Sequence, residues 1–136
     1  MKEFGYGIGI ETDMSVADAD IAVRAALTEE GFGILTEIDV AATLKAKLEV
    51  DRAPYRILGA CNPALANRAL EADEHVGLLL PCNIVVYETA TGSNIEAMEP
   101  LVMSQLVGGE AIGPIAAEAR ERLTRALQAV ELQISG

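Results

Sequence analysis

The chain of 136 residues contains no tryptophan, two phenylalanines and three tyrosines. A core of aromatic rings is therefore excluded, and Leu, Ile, Val and Ala must fill the interior. There is one histidine, His75, which rules out histidine pairs and leaves few options for a serine–histidine arrangement, none of which the pattern implies. Positive charge is scarce: 10 Lys and Arg stand against 21 Asp and Glu, for a net charge of −11. Nucleic acid and anionic lipid need clustered positive charge, so neither is expected as a partner. No segment approaches the roughly 20 apolar residues of a membrane span. Met1–Tyr6 lacks the long apolar region of a secretion signal, so a cytoplasmic protein is expected. There is no Cys-x-x-Cys and no Walker motif, and Gly5-Tyr6-Gly7-Ile8-Gly9 resembles a phosphate loop only in glycine content.

What the chain does contain is aliphatic. Hydrophobic residues make up 51% of it, enough to exclude disorder and to fill one core. The length predicts a single domain over 1–136, with its core in about 4–131. Phe4–Glu11 reads as a first strand, with Tyr6, Ile8 and Ile10 on one parity. Ser15 caps a helix whose stripe is Val16, Ala19, Val23, Ala26 and Leu27. Gly33–Ile38 is a second strand. Asp39 then caps a helix with Val40, Leu44 and Leu48 inward. Pro54–Cys61 is a third strand, and Asn62 with Pro63 starts the next helix. Val76–Leu80 and Asn83–Thr89 read as one long strand or two joined at Pro81. Ile95–Met98 returns as a hairpin partner. Pro100–Glu110 fits no single element, and Pro114 opens a last helix with a strong apolar stripe. The pattern predicts an α+β fold, a mostly antiparallel sheet with helices packed on one face.

Chemistry centres on two Cys-Asn pairs, Cys61-Asn62 and Cys82-Asn83, each beside a proline. Cys61 precedes a helix start, where the positive end of the helix dipole favours a thiolate. The competing reading is a small buried residue at a tight strand end. Cys82 shares parity with Ile84 and Val86, which places it on the core face. Pro81 cannot donate to a sheet ladder and marks an edge or a bulge. No metal site is expected. Its weak alternative is a soft-metal set of Cys61, Cys82 and His75, completed by Met98 or Met103. Glu88, Glu96 and Glu99 are candidates for a carboxylate cluster across the hairpin, or for a solvated edge.

Gly59-Ala60-Cys61-Asn62-Pro63, Leu79-Leu80-Pro81-Cys82-Asn83-Ile84-Val85-Val86-Tyr87-Glu88 and Met98-Glu99-Pro100 resemble the bacterial and archaeal family called domain of unknown function 302. The likeness runs from Tyr6 to about Val130. In the family the last segment often reads Asp-Pro, where this chain has Glu99. The resemblance implies an α+β fold, homodimers and no established activity.

Two functions follow as expectations. The first is a non-enzymatic homodimer, without a cofactor, that binds a small ligand or a protein partner. The second is a thiol-dependent role in redox, sulfur handling or soft-metal binding. The candidate residues are Cys61, Asn62, Pro81, Cys82, Asn83 and Glu99.

Overall fold

Three helices begin at the side chains that the sequence singles out as caps. In the structure, a computed structural model describing residues 1–133, Ser15 Oγ accepts from the Asp18 N–H at 3.1 Å and opens α1 (Val16–Glu29). Asp39 accepts from the Ala42 N–H at 2.9 Å and opens α2 (Val40–Leu48). Asn62 Oδ1 accepts from the Leu65 N–H at 3.2 Å, and Pro63 is the first residue of α3 (Pro63–Ala72). Each cap satisfies an N–H that has no partner within its helix. Two more helices, α4 (Leu101–Val107) and α5 (Ile112–Glu131), lie at the C-terminal end.

The strands are β1 (Lys2–Phe4), β2 (Gly7–Thr12), β3 (Gly33–Asp39), β4 (Tyr55–Cys61), β5 (Cys82–Thr89) and β6 (Gly92–Met98). They form one antiparallel sheet in the order β1-β2-β6-β5-β4-β3. Successive side chains point to opposite faces. One row runs Leu58, Ile84, Ala97, Ile8 across four strands, and all four are buried. Helices α1 and α5 cover this row with Val23, Leu27, Leu123, Leu127 and Val130. The row beside it, Ile57, Val85 and Glu96, lies on the other face and stays half-exposed. The fold is α+β, as the pattern predicts. A smaller cluster of Leu65, Ala69, Val76, Met103, Ile112 and Ile115 joins α3, α4 and α5.

Four elements differ from expectation. Val76–Leu80 is not a strand; Glu74–Leu79 is a 3-10 helix. A continuous apolar run carries no alternation to separate the two. Here Val76 is buried while Leu78 is 88% exposed, which strand parity would forbid. The first strand is a hairpin, β1 and β2, and Tyr6 lies in its turn rather than beside Ile8. The last helix starts at Ile112, before Pro114. Most consequentially, α2 buries no residue: Val40 and Leu44 are half-buried and Leu48 is 65% exposed. The ambiguous Pro100–Glu110 segment contains α4, followed by Gly108 and Gly109 at positive φ.

If α5 seals the sheet, Leu123→Ala should lower stability by about 2–5 kcal/mol, because Leu123 is fully buried. Ile21→Ala, on the exposed side of α1 at 68% exposure, should change it by less than about 0.5 kcal/mol. Urea unfolding of both variants checks this; equal losses would contradict the packing.

Candidate functional site

Cys61 ends β4 and Cys82 begins β5. Ala60 is the strand partner of Cys82, so the two cysteines are diagonal neighbours. Both line a small apolar pocket of about 30 Å³, with Asn62, Leu65, Pro81 and Met103 among its walls. That volume admits a water-sized guest and no metabolite. Cys82 is 6% exposed and Cys61 half-buried, and both are free thiols. Burial, helped by the neighbouring Cys61, pushes the Cys82 thiol up to about 11. Such a thiol stays protonated at neutral pH and is a poor nucleophile.

Pro81 and Asn62 shape this corner. The Leu80–Pro81 peptide is cis, and the proline packs against Gly59. A Cβ on Gly59 would stand 2.2 Å from Thr36 Oγ1 and 2.9 Å from Pro81 Cγ, so only glycine fits. Asn62 does more than cap α3. Its Nδ2 donates to the Glu30 carbonyl at 3.4 Å, and Arg122 donates to the same oxygen at 3.2 Å. The end of α1, the start of α3 and the middle of α5 thus meet at one carbonyl.

The remaining candidates lie elsewhere. Asn83 is exposed and points to the face opposite Cys82. Glu99 accepts two hydrogen bonds from Arg120 Nε, at 2.9 and 3.1 Å, and Arg120 also pairs with Glu3. His75 is exposed on the 3-10 helix. Among the described residues no group of three or more His, Cys, Asp or Glu side chains is placed to hold a metal ion, so Cys61, Cys82 and His75 do not converge. Nor do the three carboxylates. Glu88 stands opposite Ser93 and Glu96 opposite Val85, while Glu99 is taken up by Arg120.

A second concavity went unnoticed in the sequence. On the half-exposed face, a cleft of about 320 Å³ is lined by Phe4, Tyr6, Tyr55, Asn83, Glu96 and Met98, among others. Tyr55 and Tyr87 stack with centroids 5.3 Å apart. Tyr87 Oη donates to Glu96 Oε2 at 2.9 Å and receives Asn94 Nδ2 at 3.0 Å. The Asn94 contact favours the Tyr87 phenolate, but burial and Glu96 outweigh it and raise the phenol overall. The missed signal was parity. Asn83, Val85 and Tyr87 alternate with Cys82, Ile84 and Val86 and so mark a second face.

With this geometry the comparisons with known proteins agree. The family model described as "Domain of unknown function DUF302" matches residues 8–130. The chain belongs to this family. A crystal structure of an uncharacterized conserved DUF302 protein from Bacillus stearothermophilus is similar to it at 28% identity, covering 93% of this chain and 98% of that one, with a TM-score of 0.85. No curated protein matches the chain. The segments that carry the DUF302 resemblance sit at structural junctions: Gly59–Pro63 and Leu79–Glu88 build the cysteine pocket, and Glu99 anchors Arg120.

Two predictions follow for this DUF302 domain. A soluble alkylating reagent should modify Cys61 well before Cys82, which peptide mapping by mass spectrometry will read; Cys82 labelling first would contradict its burial. The second concerns alkaline pH. The Cys82 thiol rises from 9.0 unfolded to about 11 folded, so its stabilising share is complete below pH 9 and is lost as pH climbs toward 11. Linkage puts that share at about 2–3 kcal/mol at most. Urea midpoints should fall more steeply over this window in the wild type than in Cys82→Ala; parallel curves would remove the effect.

Proposed function

We propose that the protein is a non-enzymatic, cytoplasmic homodimer that binds a small ligand in the cleft on the half-exposed sheet face. The observation that carries the dimer is helix α2. Its stripe of Val40, Leu44 and Leu48 has the spacing of a buried face, yet among the described residues Val40 and Leu44 are covered only in part and Leu48 is 65% exposed. Beside it, Leu35 is 67%, Ile38 47% and Val50 45% exposed. These residues adjoin β3, one of the two edge strands of the sheet, whose outer backbone groups have no strand partner among the described residues. An apolar patch along an open edge is the feature that self-association removes. Fully burying a Leu, Ile or Val is worth roughly 1.5–3 kcal/mol, a gain that works against the cost of association.

The non-enzymatic part of the proposal is supported by how the reactive groups are held. Cys82 is kept protonated by burial, and Glu99 is neutralised by Arg120. The ligand part is supported by the cleft itself, which combines apolar walls with Asn83 and Glu96. A second reading, thiol chemistry, is favoured by the convergence of Cys61 and Cys82 on one pocket. It predicts an intramolecular disulfide on mild diamide oxidation, whereas the binding reading predicts two free thiols.

Sedimentation at micromolar concentration should show a species of about twice the 14.3 kDa chain mass. Leu48→Glu should give a folded monomer, because the residue is already exposed in the single chain. A wild-type monomer, or a dimer unmoved by Leu48→Glu, would overturn the α2 assignment.

A further inference from the structure

We infer that the ligand of the half-exposed cleft is an organic ammonium cation; this rests on the ligand-binding reading proposed above. The argument starts from scarcity. The chain has five aromatic side chains, and of these only Phe32 is buried in the core. Phe4, Tyr6 and Tyr55 line the cleft, and Tyr87 stacks behind Tyr55. Elsewhere aliphatic side chains do the packing. Rings gathered at one opening on the surface serve another purpose. The face of an aromatic ring carries partial negative charge, and it attracts ammonium groups, most strongly where water is displaced.

The charge lining the cleft has the matching sign. Glu96 is its one charged lining residue. The hydrogen-bond chain from Asn94 through Tyr87 fixes Oε2 of that carboxylate. The nearby Lys2 is occupied by Glu11. Arg52 lies 5.0 Å from the Tyr55 ring centroid while Tyr87 stacks on the same ring. Tyr55 is thus already engaged by two groups and serves as a fixed wall of the cleft. Phe4 and Tyr6, edge to face with centroids 5.5 Å apart, supply the free ring surface. Asn83 adds an amide able to pair with a hydroxyl or carbonyl on the ligand. A volume of about 320 Å³ admits a small alkylammonium compound. The net charge of −11 draws cations toward the whole surface.

The test is an NMR titration of the intact protein with choline and, separately, with its uncharged isostere, in which a tert-butyl group replaces the trimethylammonium group. Choline should shift the amides of Asn83, Glu96 and Met98, and the isostere should bind about tenfold more weakly. Glu96→Gln keeps an acceptor for Tyr87 and should reduce that preference several-fold, leaving the part that the rings supply. Tyr6→Ser, at a residue 75% exposed and so harmless to folding, should weaken choline binding several-fold. Equal binding of both probes in the cleft would keep the cleft as a ligand site and overturn the cation. No shift of cleft amides by either probe at millimolar concentration would overturn both.

Discussion

The alternation of β5 decides what each side of this molecule does. Its side chains go in turn to the helices and to the open face: Cys82, Ile84 and Val86 inward, Asn83, Val85 and Tyr87 outward. Because the period is two, a slip of one residue would exchange the two sets. The slip is blocked on both flanks. Leu58 and Ala97 must meet Ile84 from the neighbouring strands, and Gly59 must admit Pro81 and Thr36 where no Cβ fits. The inward set meets α1 and α5 and closes an aliphatic core. Of the outward set, Asn83 is exposed and Val85 and Tyr87 are half-buried.

Charge then fastens the layers. Asp20, nearly buried on α1, pairs with Arg24 and with Arg56 of β4, and Arg24 reaches Glu37 of β3. Glu30 at the end of α1 is bound by Arg125 of α5. Arg120 links α5 to Glu99 and Glu3. Arginine is suited to this work, since its planar fork binds carboxylates in two places at once. Arg24, Arg56 and Arg120 thus hold helices to the sheet, while Arg68, Arg122 and Arg125 hold helices to one another. The cysteine corner belongs to the same joint: Cys82 fills a packed place, and Asn62 knots three helices at the Glu30 carbonyl.

Much of this could be read from the residues. The caps at Ser15, Asp39 and Asn62 were legible because a short polar side chain before an apolar stripe has one local use. The parity of Cys82, Ile84 and Val86 was legible because alternation is local as well. What failed was everything that depends on distant partners. Val76–Leu80 lacks alternation, so strand and 3-10 helix were indistinguishable by pattern. The α2 stripe shows that Val40, Leu44 and Leu48 are spaced for burial, but not that the described residues cover the stripe only in part. Glu99 looked like part of a carboxylate group until Arg120, 21 residues on, was brought beside it. The cleft was invisible for the same reason: Phe4, Tyr55 and Glu96 come from three strands. The scarcity of aromatics was in plain view, and only the fold shows that four of the five share a face.

The central claim is that the two unsealed surfaces have different uses, the α2–β3 edge for a second copy and the aromatic face for a ligand. A crystal structure of the assembled protein tests it most directly. The account predicts two chains joined through Leu35, Ile38, Leu44 and Leu48, with Tyr6, Asn83 and Glu96 still open to solvent. A dimer packed face to face through Val85, Met98 and Tyr55, with α2 left bare, would contradict it.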